Sequence, residues 1–290
     1  MKDLSEIIVC SVCEGELSNP IENNLCCNDC GRKYKIKEGV YYMLPNLPPD
    51  ELSERWQLWQ QVQHNGEVSY NQAPEINLSN DDDDIVVLFR QHAGLDKRVL
   101  DIGCGPQCDQ PAYINNSGAD AYVGLDPLQG SNNRNFIHVQ GIGECLPFRP
   151  DSFDHIVMFS SLDHMLDYPL ALREAYRVLL TDGYIHIIAD KMDDGENDHA
   201  NGSAGLFHLV SRGFKQVTTG LATMGLKRTI KYVVTMLSLN VPEGAKDYFH
   251  TQFPSLVEIR HNLASSGFEI IDEHSIGDEI LINAKKRNTA

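Results

Sequence analysis

From Arg98 onward the chain alternates short apolar runs with amphipathic stretches. RVLDIG, AYVGLD, NFIHVQG, FDHIVMFSS and YIHIIAD read as strands, and PLALREAYRVLL carries apolar residues three and four apart, as a helix does. Strands alternating with helices predict a parallel, doubly wound α/β sheet. Ligands of such sheets bind at the carboxyl ends of the strands, beside the switch point. The residues that end each run are therefore the first candidates for a site.

The first run ends in Asp101-Ile102-Gly103-Cys104-Gly105. Two glycines let the backbone approach a ligand without a Cβ in the way. A dinucleotide turn needs a third glycine, and that position is Cys108. Asp101 also suits a cationic ligand better than a pyrophosphate. The second run ends in Asp126, 23 residues after Gly103, close to the spacing at which an acid takes ribose hydroxyls.

VLDIGCG, VGLDPL and GECLPFRPDSFDHIVMFSSLDHMLDYPLALREAYRVLLTDGYIHI, in that order, resemble the successive motifs of class I S-adenosylmethionine-dependent methyltransferases of the type 11 kind. GFEIIDEH with DEILINAKK is similar to the closing hairpin of the same fold. The resemblance implies a doubly wound, seven-stranded Rossmann-like sheet. It places Asp101, Gly103, Cys104 and Gly105 at the methionine end of the cofactor, with Phe159, Ser160 and Ser161 lining the same pocket. Asp126 and Pro127 would lie at the ribose, and Ile142, Gly143 and Glu144 on the adenine side with Leu146 and Phe148. Ile142 departs from the family, which commonly has an Asp there to accept the adenine amino group; Glu144 or a backbone carbonyl would have to substitute.

Upstream, Cys10 and Cys13 form one CxxC and Cys27 and Cys30 another, thirteen residues apart. This is the spacing of a four-thiolate zinc ribbon, a closed and hence structural site. Gly15 and Gly31 follow the pairs, and Cys26 is a spare thiol beside a ligand. So short a segment has little core of its own, which makes a metal the economical staple. The expected division is a ribbon at 1–46, a linker and helical lid at 47–84, and a methyltransferase domain at 85–290 with a cap insertion at about 195–250. Within the linker Asp50 is a candidate N-cap for a helix carrying Trp56 and Trp59, which would pack the ribbon on the main domain. Residues 64–80 read as a loop or lid, and the acids at 81–84 as the start of a helix. The order of ribbon and domain also resembles bacterial ribosomal RNA guanine methyltransferases.

The formal net charge of −17 argues against nucleic acid as a partner over most of the surface. No signal-peptide pattern and no membrane-length apolar run are evident, and eight cysteines without a leader suggest the reducing cytoplasm. Methyl transfer needs alignment and, for a hydroxyl acceptor, a base. His164, Asp163 and Asp190 sit at strand ends where such a group belongs; a helix-capping or packing histidine explains His164 equally well. No acid occurs between Asp198 and Glu243, where about six would be expected at the chain average. That stretch carries Arg212, Lys215, Lys227, Arg228 and Lys231. These cations suit an anionic small molecule such as a sugar or nucleotide-linked metabolite, or simply form a basic surface. The leading expectation is methyl transfer to oxygen or nitrogen of a polar small molecule. An RNA methyltransferase and a scaffold that binds cofactor without turnover are the alternatives.

Overall fold

The computed structural model describes residues 4–18, 23–45, 53–115, 117–130, 133–191, 218, 221–222 and 224–287. Ten strands among them form one sheet, in the order β1-β2-β3-β6-β5-β4-β7-β8-β10-β9. Their ranges are β1 Asn24–Cys26, β2 Lys33–Lys37, β3 Val40–Tyr42, β4 Asp96–Ile102 and β5 Gly118–Asp126. β6 Ile137–Gln140, β7 Phe153–Phe159, β8 Leu179–Asp190, β9 Phe268–Ile276 and β10 Glu279–Lys286 complete it. The helices are α1 Ser53–Gln72, α2 Pro74–Asn77, α3 Asp84–His92, α4 Tyr168–Val178, α5 Leu226–Ser238 and α6 Leu256–Ser265.

The seven strands β4 to β10 are the doubly wound unit that the motifs imply. β4 pairs in parallel with both β5 and β7, so the winding reverses at its carboxyl end. β10 is antiparallel to β8 and β9, which makes the closing hairpin. Side chains alternate across the sheet as the pleat requires. Leu100, Ile102, Ile156, Met158 and Ile187 enter one buried cluster, and Val99, Val157, Ile188 and Leu281 the other. No helix among the described residues is long and apolar enough to cross a membrane.

The cysteine-rich segment continues this sheet. β1, β2 and β3 form an antiparallel meander, and β3 runs parallel to β6, pairing Val40 with His138 and Tyr42 with Gln140. An open sheet edge exposes unpaired amides and carbonyls; β3 covers that of β6. Leu4, Ile8, Leu25, Tyr34 and Met43 share one apolar cluster with Leu146, Phe148 and Phe153. Val9 donates its N–H to the Pro147 carbonyl, and Arg149 donates to that of Ile7.

α1 is longer than its sequence suggests, absorbing the first part of the stretch read as a loop. Trp56 and Trp59 bury their rings against Ile142 and Leu166, with Leu44 of the ribbon's exit beside them. That is the packing role expected of the pair. Beyond Val62 the inward face becomes polar, at Asn65 and Ser69. Asn65 donates to the carbonyls of Tyr248 (2.9 Å) and Asn240 (3.3 Å), and Ser69 meets the Tyr232 hydroxyl of α5 at 3.2 Å. The acids at 81–84 do lead into a helix, α3. The proposed cap at Asp50 lies outside the described residues.

Candidate functional site

β4 delivers its chain into a turn that only glycine fits comfortably. Gly103 and Gly105 have φ of +89° and +80°, and a Cβ on Gly103 would stand 2.4 Å from that of Ser161. Asp126, at the end of the adjacent β5, fixes the turn. Its two carboxylate oxygens accept the N–H groups of Gly105 and Leu128, both at 2.8 Å. Cys104 is buried below them, with its sulfur 3.7 Å from Nδ1 of His138. Pro127 follows, its carbonyl accepting from Gln140 at 2.9 Å.

Asp101 is fully buried. Its Oδ2 accepts from the hydroxyls of Tyr122 (2.7 Å) and Tyr113 (2.9 Å). Its Oδ1 has no hydrogen-bond partner among the described residues. Burial raises the Asp101 carboxyl to about 7 against the help of both phenols, and burial raises Asp126 to about 6. Two carboxyls held this far from water, one with an orphaned oxygen, fit a cation-bearing ligand over the turn. The ammonium and sulfonium of S-adenosylmethionine supply that charge. The donor set fits the cofactor implied by the motifs.

The other expected contacts surround the same turn. Phe159 ends β7 and stacks on Tyr113 at 4.0 Å. Ser160 has φ +48°, a conformation that a non-glycine residue adopts at a cost, and its N–H reaches the Ile188 carbonyl. On the adenine side, Ile142 is buried beneath the two tryptophans, so an apolar residue stands where the family's acid would. Gly143 is pinned by packing, because a Cβ there would crowd Ile102 and Ala171. Glu144 is buried and its Oε1 accepts the amides of Leu166 (2.6 Å) and Asp167 (2.9 Å). That carboxylate holds the entry to α4.

Across the turn lies a polar cluster that the sequence shows only in part. Asp163 and His164 occupy the 3-10 turn after β7, as expected. The structure adds Asp247 and His250 from the segment before α6. Asp163 Oδ2 is 3.3 Å from Nε2 of His250, and Oδ1 is 3.9 Å from Nε2 of His164. The imidazoles stack at 4.4 Å. Burial would raise Asp247, but the His250 ring and the amides of Phe249 and His250 outweigh it and hold the carboxyl below its ordinary value. Burial in turn lowers His164 against the pull of Asp163. Burial pushes the phenol of Tyr70 on α1 up, and the charges of Asp126, Cys104 and Asp163 act in the same direction.

α1 and residues 240–252 wall this side. Trp59 Nε1 and Gln63 Nε2 both donate to the His164 carbonyl at 3.2 Å. Thr251 and Gln252 donate to that of Met165 at 3.0 and 2.9 Å. Asp190 ends β8 in register with Glu279, and β8 pairs in parallel with β7, the strand that leads into the turn bearing Asp163. Lys227, Arg228 and Lys231 are exposed on α5, whose buried residues are Thr229 and Tyr232. The face of α5 buried against the chain is the neutral one. Arg212 and Lys215 lie outside the described residues.

The four ribbon cysteines converge. Sulfurs of Cys10 and Cys30 are 3.6 Å apart, those of Cys13 and Cys27 are 3.5 Å apart, and all four lie within 4.8 Å of one another. Zinc–thiolate bonds of about 2.3 Å imply tetrahedral edges of about 3.8 Å, so the set fits one zinc ion. Cys26 stays outside the cluster, its sulfur near the carbonyls of Cys27 and Gly31. Hydrogen bonds from Tyr34 and the backbone outweigh burial and lower Cys10 to about 7, toward the thiolate that a metal needs.

Residues 100–187 match the methyltransferase domain family, and residues 2–39 match the Trm112p-like protein family. Uncharacterized protein MJ1252 of Methanocaldococcus jannaschii is 29% identical over 175 residues, 60% of this chain and 62% of that protein. The match thus spans less than two thirds of that relative. Among solved structures, a Burkholderia thailandensis 1,6-didemethyltoxoflavin-N1-methyltransferase with bound 1,6-didemethyltoxoflavin and S-adenosylhomocysteine is similar at 14% identity. The likeness covers 90% of this chain and 98% of that one, with TM-score 0.48. A complex of the Haloferax volcanii Trm112 methyltransferase activator with a methyltransferase is similar at 13% identity, covering 70% and 88%, TM-score 0.45. At these values neither likeness bears on substrate.

Proposed function

Because residues 100–187 are a class I S-adenosylmethionine-dependent methyltransferase domain and residues 2–39 a Trm112p-like zinc ribbon, we propose that this chain methylates an oxygen or nitrogen of a polar small molecule. The observation that carries this reading is the wall on the acceptor side. α1 and residues 240–252 are tied by five side-chain donors to the backbone of the turn bearing Asp163 and His164, or to each other. The polar cluster of Asp163, His164 and His250 held by these contacts suits a compact polar acceptor better than a polymer strand. The charge of −17 points the same way. His164 or Asp163 would take the acceptor proton, and the remaining contacts would hold the acceptor oxygen or nitrogen in line with the methyl group.

Methyl-labelled S-adenosylmethionine, incubated with the full chain and separately with a small-molecule extract and total RNA, tests the proposal. Label is expected in the small-molecule fraction and not in RNA. Label in RNA would replace this reading with the RNA alternative. Cofactor binding with no labelled product in either fraction would favour a scaffold.

The raised carboxyls add a pH signature. In the unliganded chain Asp101 near 7 and Asp126 near 6 lie above their ordinary value of 3.8. Burial therefore costs the fold progressively more stability as pH rises from about 4 to 7. A cationic ligand favours the ionised carboxylates, so its binding releases protons below pH 7. Calorimetry with S-adenosylmethionine, which carries both ammonium and sulfonium, should show affinity rising by up to about tenfold per pH unit between about 6 and 7 and levelling above it. Asp101→Asn should flatten most of that rise. An affinity independent of pH between 5.5 and 8 in the parent chain would remove Asp101 and Asp126 from the cofactor site.

A further inference from the structure

Two histidines and one carboxylate, drawn from segments 86 residues apart, meet in a geometry more ordered than proton transfer by His164 or Asp163 requires. His164 Nδ1 is 3.0 Å from the Phe249 carbonyl, which can only accept, so that nitrogen carries the proton. His250 Nδ1 is 2.7 and 2.8 Å from the two oxygens of Asp247, a bidentate carboxylate that also accepts. In each neutral ring the lone pair then belongs to Nε2, and both Nε2 atoms face Asp163. A ring whose far nitrogen is fixed by a carboxylate or carbonyl is the arrangement that orients metal-bound histidines.

The distances agree with a shared ion. Asp163 Oδ2 to His250 Nε2 is 3.3 Å, and one ligand atom from each of Asp163, His164 and His250 lies within 4.8 Å of the others. Zinc bonds of about 2.0–2.1 Å to nitrogen and oxygen imply tetrahedral edges of about 3.4 Å. His164 keeps 43% of its side-chain surface accessible, whereas that of His250 is 10% accessible. Three protein ligands with one side open characterise a metal that meets substrate, in contrast to the closed four-thiolate ribbon.

We propose that Asp163, His164 and His250 form a second metal site, distinct from the ribbon, for a divalent first-row transition ion. Imidazole and carboxylate together select zinc, manganese or ferrous iron over magnesium or calcium. Asp247 and the Phe249 carbonyl are its positioning groups. The open position is where the acceptor of the proposed function would bind, and in that role alone the inference rests on that reading. An acceptor bearing an ionisable oxygen would bind there as the anion, its charge met by the metal ion.

Metal content of the full chain, saturated with zinc and freed of excess, should be two ions per chain. Cobalt substitution should show thiolate-to-cobalt charge transfer from the ribbon together with a second set of ligand-field bands lacking it. His250→Gln and Asp163→Asn should each reduce the content to one ion and abolish only the second set, with the thiolate band showing that the chain is folded. One ion per chain in the parent protein would overturn the site. Two ions retained in both variants would also overturn it. Two ions without methyl transfer to any small molecule would keep the site and defeat the proposed function instead.

Discussion

Cys30→Ser is expected to lower the melting temperature of the whole chain by about 10–20 °C and to weaken S-adenosylhomocysteine binding with it. Structural zinc contributes about 10 kcal/mol or more to folding a small ribbon. Here the ribbon has no core of its own to lose. Leu4, Ile8, Leu25, Tyr34 and Met43 belong to the cluster that contains Phe148 and Phe153 of the main sheet. β3 is hydrogen-bonded along β6, so releasing it uncovers an edge in the middle of the protein. Transmission of even half of the zinc contribution, about 5 kcal/mol, corresponds to that shift for a chain of this size. The effect on cofactor binding follows from register. Tyr42 pairs with Gln140, Met43 donates to the Gln140 carbonyl, and Gln140 holds Pro127 beside Asp126. Differential scanning calorimetry with parallel ligand titration measures both effects. A separate early transition of the ribbon, with the main transition and the affinity unchanged, would show instead that the ribbon is an independent unit.

What was legible in the sequence was what repeats at a fixed period or spacing. Val99 to Ile102 and Ile156 to Met158 are buried on both faces, so their strands read as apolar runs, the first broken only by the site residue Asp101. Paired cysteines announce one ion by spacing alone, and the four named from it do converge. α1 past Val62 was not legible, because its inward residues are Asn65 and Ser69, with Gly66 between them. These polar groups are satisfied by carbonyls and a hydroxyl some 160 to 180 residues away in sequence, where no periodicity can signal them. Tyr70 was missed with that helix. Asp247 and His250 were missed because they lie in irregular chain and gain meaning only against Asp163. A histidine three residues after an aspartate, in GAKDYFH, is the one local signal.

Which way the cations face was hidden for a related reason. A scarcity of acids marks a surface, but it does not say which way that surface faces. Thr229 and Tyr232 supply the buried side of α5, so Lys227, Arg228 and Lys231 fall on the exposed side. Ile142 turns from an anomaly into a packing residue. With Trp56 and Trp59 above it and Leu166 beside it, a carboxylate at 142 would be buried against indole rings without a partner. The tryptophans that join the ribbon to the domain and the missing adenine-side acid are two sides of one contact.

Asp126→Ala should weaken S-adenosylhomocysteine binding by about two to three orders of magnitude while leaving the fold nearly as stable as before. Each Asp126 oxygen already accepts one backbone N–H, from Gly105 and from Leu128, and keeps a second lone pair for a ribose hydroxyl. Two charge-assisted hydrogen bonds at about 1.5–3 kcal/mol each account for the expected loss. The stability change is small because two effects oppose. Truncation leaves the Gly105 and Leu128 amides without their acceptor, and it also removes a carboxylate whose burial raises its pKa to about 6 and therefore costs stability at neutral pH. Asp126→Asn separates the two roles. The amide oxygen can replace one acceptor, but its NH2 group faces a backbone donor, so the turn distorts and affinity falls nearly as far as in the alanine variant. Titration calorimetry beside a thermal melt reads affinity and stability independently. An affinity within threefold of the parent in both variants would remove Asp126 from the ribose contact and leave it only as the clasp of the glycine turn.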